Sequence, residues 1–185
     1  HAQFETIHPF ADGNGRTGRI IVTMFLWHEH LLELPVLSLS TYFKKHQNVY
    51  YERLDGYHSE SNSIEEWVDF FLDGIIEVAQ SAIETCKAIT ELRERDMRKV
   101  QALGKAAAPM TLAVVRNLYR LPTVGIADVV DWTGYSRPGA YKIIDRLVNM
   151  GILHPTKEAD TYGQKYMYKD YVALFGDAEQ TGSAA

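Results

Sequence analysis

Cysteine is nearly absent from this chain, a single Cys86 in 185 residues, so neither an intramolecular disulfide nor a cysteine-ligated zinc site can be assembled from it. Long apolar runs are missing as well. None approaches the roughly 18 residues that cross a bilayer, and the first residues lack the charged, apolar and cleavage-site succession of a secretory signal. These gaps predict a cytoplasmic protein with no membrane partner. Nor is there an excess of positive charge: 19 Lys and Arg face 24 Asp and Glu, a formal net charge of -5, which excludes a surface built throughout to hold nucleic acid. Repeats are lacking too. What remains is an ordinary globular composition, 46% hydrophobic, 11% aromatic and 23% charged, enough for one large domain or two small ones. The sequence opens on His1 rather than Met and leads at once into a dense motif, so it is read as beginning inside a domain.

The order of patterns predicts a mainly helical chain. A short apolar lead, Phe4 to Ile7, precedes a loop rich in Gly and Asn from His8 to Gly18. From Arg19 to His28 the residues are apolar nearly all round, as in a helix buried on most sides. Pro35 marks its end or the loop after it. A second helix is expected over Leu39 to Leu54, then a loop through Asp55-Gly56 and Ser59 to Ser63. Ser63 and Glu66 form a capping-box pattern ahead of Trp67, Phe71, Ile75, Val78, Ile83, Cys86 and Ile89, which recur at the spacing of one long amphipathic helix. Cys86 is read on its buried side as a small hydrophobe. The small residues of Gly104 to Pro109 are read as a hinge between domains. Beyond them come helices over Thr111 to Tyr119, Ile126 to Trp132 and Arg137 to Met150, with a turn at Thr133-Gly134, then strands over Ile152 to His154 and Lys165 to Lys169. That order predicts a winged helix-turn-helix over residues 109–176, with residues 177–185 as a disordered tail.

The stretch His8-Pro9-Phe10-Ala11-Asp12-Gly13-Asn14-Gly15-Arg16-Thr17-Gly18-Arg19 carries the chemistry. Gly13, Asn14 and Gly15 let successive backbone N–H groups face one concavity, and the following helix adds the positive end of its dipole, so an anion is the natural occupant. Arg16 and Arg19 are three apart on one face and bring forked donors suited to phosphate oxygens. Such a loop suits a polyphosphate. Asp12 offers the single carboxylate that Mg²⁺ commonly takes beside phosphate oxygens. His8, with a reference pKa near 6.5, can accept a proton from a hydroxyl at neutral pH. His1 and Glu5, at helical spacing before His8, are read as surface polarity at a helix end.

The same stretch resembles the Fic family signature, HxFx(D/E)GN(G/K)RxxR, at every specified position. The resemblance implies that residues 1–104 are the C-terminal portion of an all-helical Fic domain, and that the parent protein is a protein adenylyltransferase moving AMP from ATP to a Ser, Thr or Tyr hydroxyl of a target protein. It implies His8 as general base, Asp12 as Mg²⁺ ligand, and Gly13, Asn14 and Gly15 as the anion hole, the Asn14 side chain near the α-phosphate. Arg16, Thr17, Gly18 and Arg19 complete the nucleotide site, with both arginines on the β- and γ-phosphates and Phe10 packing the loop. Gly15, where the family's kinase-like branch usually has Lys, favours adenylylation. Tyr50-Tyr51 matches a tyrosine pair that lies beside the nucleotide in many relatives, with core packing as its alternative; His58 stands where relatives usually carry Asn. The flap that aligns the target precedes the signature in the family, so residues 1–185 alone are expected to be weakly active or inactive.

For the second module two partners stand open. Residues 109–176 hold eight Lys and Arg against six Asp and Glu, and Arg137, Tyr141, Lys142 and Arg146 suit a helix facing DNA. So modest a charge weighs instead toward another protein, a second copy of the chain included. The rival to the enzyme is a DNA-binding regulator that keeps the Fic loop as a nucleotide sensor.

Overall fold

The computed structural model describes residues 1–33, 39–56, 64–160 and 163–175. His58, Pro35, the Ser63 cap and the expected tail over residues 177–185 lie outside them. The chain is mainly helical and divides into two units, His1–Glu84 and Thr85–Ala185.

The first unit holds α1 (Ala2–Ile7), α2 (Asn14–His28), α3 (Ser40–Lys45), α4 (Gln47–Gly56) and the beginning of α5 (Ile64–Gln101). Its core is largely aromatic: Val22, Leu39, Tyr42, Phe43, Tyr50, Trp67 and Phe70 are buried together, with the Phe43 and Tyr50 rings 4.8 Å apart. Gly74 makes room for this cluster, since a Cβ there would come within 2.7 Å of the Tyr42 ring.

Three expectations are corrected in this unit. Helix α2 begins at Asn14, not after Gly18, because a left-handed Gly13 (φ 82°) turns the chain directly into helical geometry. Neither is α2 buried on most sides. Only Asn14, Gly18 and Val22 are buried, at the i, i+4, i+8 spacing of one narrow face, whereas Ile20 and Phe25 are each 62% exposed and Met24 and Trp27 stand out as well. The single helix expected over Leu39 to Leu54 is two helices, separated at His46.

The second unit contains the remainder of α5, then α6 (Ala108–Leu118), β1 (Thr123–Val124), α7 (Ile126–Thr133), α8 (Arg137–Asn149), β2 (His154–Asp160), β3 (Gly163–Met167) and α9 (Lys169–Ala173). Strand β3 is the middle of the sheet, antiparallel to β1 and β2, with Met167 opposite both Thr123 and His154. Val114, Leu118, Val129, Ile143, Ile144, Leu147, Leu153 and Tyr168 belong to its mostly aliphatic core. Local chemistry fixes the helix ends. The Gly125 N–H donates to the Asp128 carboxylate at 2.7 Å at the start of α7, and a left-handed Gly134 (φ 69°) closes α7 by donating its N–H to Val130 O. Pro138 sits in the first turn of α8, where its missing N–H costs nothing.

Here too the sequence reading is amended: strand β2 begins at His154 rather than Ile152, β1 and α9 were not anticipated, and Cys86, expected to be buried, is exposed. The apolar residues of α5 circle more of the helix than its partners cover, so Ile64, Val68, Leu72, Ile76 and Ile83 are also exposed. Among the described residues no helix is long and apolar enough to cross a membrane.

Candidate active site

His8 and Pro9 together stop helix α1. His8 adopts a left-handed conformation (φ 46°, ψ 56°), its N–H still reaching Phe4 O at 3.1 Å. The Glu5 carbonyl would next take the N–H four residues on, but residue 9 is proline and has none. The His8 ring fills that gap, with Nδ1 3.2 Å from the Glu5 carbonyl oxygen. With Nδ1–H donating there, the neutral imidazole carries its lone pair on Nε2, on an exposed side chain. The ring is thus held by one nitrogen and basic at the other.

The turn from His8 to α2 is shaped by Asn14. Its side chain, in a residue only 2% exposed, accepts the Phe10 N–H at 2.9 Å and donates to the Phe10 carbonyl at 2.5 Å. One amide N–H and the amide oxygen thus tie the loop backbone together, and Asn14 also presents its own backbone N–H to an anion. Phe10 contributes to the loop through those backbone groups; its ring, expected to pack the loop, is half exposed and meets Phe4 at a centroid distance of 6.3 Å. Asp12 accepts the Gly13 N–H at 2.7 Å and otherwise stands 94% exposed, 3.6 Å from Arg16 Nη2.

The first hydrogen bond of α2 is Thr17 N–H to Gly13 O, at 3.0 Å. The N–H groups of Asn14, Gly15 and Arg16 precede it and lie where a helix presents partial positive charge. Both arginines fold back over this turn: a Cβ on Gly15 would meet Arg19 Nη1 at 3.2 Å, and one on Gly13 would meet Arg16 Nη2 at 3.6 Å. The result is a helix N-terminus with two guanidinium groups, an exposed carboxylate and an oriented imidazole within one short stretch. Such a set can bind an anion, hold a hard cation beside it and accept a proton.

The remaining candidates are placed differently. Thr17 is half-buried in α2 and Gly18 is buried against α1. Tyr50 is 4% exposed within the aromatic core, while Tyr51 is exposed. Burial, with Glu5 adding to it and Arg19 opposing, pushes the Tyr50 phenol up to about 12. His1 and Glu5, expected at the surface, are half-buried instead, with their side chains only 3% and 12% exposed. The His1 ring stacks on Phe43 at 5.7 Å and its Nε2 lies 3.0 Å from the Tyr50 hydroxyl. Their i, i+4 spacing, one helical turn before the motif, was the signal available in the sequence.

Residues 1–26 match the Fic/DOC family. A protein of Aquifex aeolicus (strain VF5), named "Probable protein adenylyltransferase", is 34% identical to this chain over 92 residues, covering 46% of the chain and 28% of that relative. The present chain thus spans well under half of the length of the curated relative it matches.

Proposed function

We propose, from the match of residues 1–26 to the Fic/DOC family, that the protein transfers AMP from ATP to a Ser, Thr or Tyr hydroxyl of a target protein. The observation that carries this is the His8 ring, tethered through Nδ1 to the Glu5 carbonyl at 3.2 Å immediately before a glycine-rich helix N-terminus. In the proposed step the target oxygen attacks the α-phosphorus, its proton passes to His8 Nε2, and the bond from the α-phosphorus to the bridging oxygen breaks to release pyrophosphate. The N–H groups of Asn14, Gly15 and Arg16 stabilise the charge on the α-phosphate, and Arg16 and Arg19 bind the β- and γ-phosphates. The donor set fits Mg²⁺, since Asp12 is a single exposed carboxylate at the mouth of the turn; the ion would neutralise phosphate charge there. Gly15 leaves the backbone open under Arg19, where a side chain would crowd the guanidinium.

The test is His8→Ala in the full-length protein, with isotopically labelled ATP and mass spectrometry of modified targets. AMP incorporation should fall by about a hundredfold to ten-thousandfold, as for loss of a general base, while ATP affinity stays within about twofold of wild type, well under one hydrogen bond's contribution. A wild-type protein that leaves no AMP on any hydroxyl residue refutes the transfer; a His8→Ala protein that keeps its whole function points to a nucleotide sensor.

A second reading concerns residues 109–176, proposed as a winged-helix module. Arg137, Tyr141 and Lys142 are exposed along α8, a face that suits a DNA groove, although Asp145 shares it. An electrophoretic shift at physiological salt checks this; no shift by micromolar protein removes DNA and leaves a protein contact or homodimer.

A further inference from the structure

Helix α1 ends on a left-handed His8 whose N–H donates to Phe4 O at 3.1 Å. That is the simpler of two closures open to such a helix end. In the other, the Schellman closure, the N–H of the next residue takes the Phe4 carbonyl and the His8 N–H moves to the Glu5 carbonyl. Continuing the helix by one residue instead would bring the N–H of residue 9 to the Glu5 carbonyl directly. Both alternatives need an N–H at residue 9, and both give the Glu5 carbonyl a backbone donor. Residue 9 is proline and has no N–H, so neither forms. The Glu5 carbonyl is left to the His8 ring, whose Nδ1 lies 3.2 Å away.

A carbonyl oxygen only accepts, so the proton in this contact belongs to Nδ1. The His8 side chain is exposed; without the contact its ring would turn in solvent and its proton would exchange between the two nitrogens. The far side of Pro9 is fixed as well, since the Asn14 side chain bonds both the N–H and the carbonyl of Phe10. Pro9 therefore joins two anchored points, the end of α1 and the Asn14 bridge. We infer that Pro9 is the positioning residue for His8: by withholding an N–H it reserves the Glu5 carbonyl for the imidazole, which places the proton on Nδ1 and the lone pair on Nε2. This rests on the reading of His8 as the base toward a target hydroxyl, and it ties the tautomer that reading needs to the choice of closure at the end of α1.

The test compares three full-length proteins: wild type, Pro9→Ala, which supplies the N–H, and Pro9→N-methylalanine, which lacks both the ring and the N–H. Imidazole ¹⁵N–¹H correlation without nucleotide, at about pH 8 where ordinary histidines are neutral, reads which nitrogen of His8 bears the proton, with His8→Ala identifying the signal. Wild type and Pro9→N-methylalanine should carry it on Nδ1, whereas Pro9→Ala should show it averaged over both nitrogens. With ATP and magnesium, kcat for AMP transfer should fall about fivefold in Pro9→Ala, the scale of one hydrogen bond, with KM for ATP unchanged, and Pro9→N-methylalanine should rescue it. A proton that stays on Nδ1 in Pro9→Ala overturns the inference. So does its loss from Nδ1 in both variants, which assigns the effect to the ring rather than to the N–H, and so does a Pro9→Ala protein that raises KM for ATP and keeps kcat. If the tautomers follow the expected pattern but the wild type transfers no AMP, the tether stands and the general-base reading falls.

Discussion

Pro9 withholds an N–H from the Glu5 carbonyl, and the imidazole of His8 takes its place. The catalytic candidate was legible in the sequence because His, Asp, Gly, Asn and Arg fall at fixed spacings. Its orientation was not, because it depends on a backbone bond that a proline leaves open. His1 and Glu5 were harder still: polar residues at a helix end are ordinarily solvated, and only the aromatic cluster around Tyr50 draws these two inside. Tyr50 also gives a residue-scale prediction. Its phenol is raised from the usual value near 10 to about 12 in the folded protein, so between those values the unfolded chain loses a proton that the folded one keeps. The associated stabilisation is fully present below pH 10 and is lost as pH rises through about 12, a loss on the order of 3 kcal/mol. Chemical denaturation of wild type and Tyr50→Phe at pH 8 and pH 11.5 should show the wild type losing more stability on the alkaline side.

At the scale of elements, the boundary most badly read was the start of α2. Gly13, Asn14 and Gly15 have low helix propensity and suggest a longer loop, yet a left-handed Gly13 and the Asn14 bridge to Phe10 start the helix there. Strand β1 escaped notice because two residues carry no periodicity. The end of α7 and the start of α8 were legible, since Gly134 stops one helix and Pro138 suits the first turn of the next, both by local mechanisms. Packing of α1 on α2 is most sensitive at Gly18. Gly18→Ala has good helix propensity, but its Cβ collides with Glu5 Oε1 and crowds the stacked His1 ring. It should destabilise by about 1–3 kcal/mol as an overpacking change, read as a lower melting temperature, whereas a surface glycine-to-alanine change in a helix would raise it.

The molecule as a whole has two cores of different character, one largely aromatic and one largely aliphatic. The sequence pattern placed a boundary at Gly104 to Pro109, whereas the two compact units divide at Glu84 and Thr85 within α5, which contributes to both cores because its apolar periodicity continues unbroken. Within the second unit the fully buried Asp96 accepts from the Tyr168 hydroxyl at 2.6 Å and from Arg95 Nε at 2.8 Å, with Lys99 Nζ at 3.6 Å. Asp96→Ala leaves the buried Tyr168 hydroxyl without this acceptor and should cost about 2–3 kcal/mol. Hydrogen exchange resolves where: amides of α6, α8 and β3 should lose protection while those of α2 keep theirs.

The exposed Cys86, alone of its kind in the chain, is an experimental handle already in place. A maleimide dye or a nitroxide attached to that thiol would report from the outer surface of α5, one residue past the start of the second unit, without any engineered substitution.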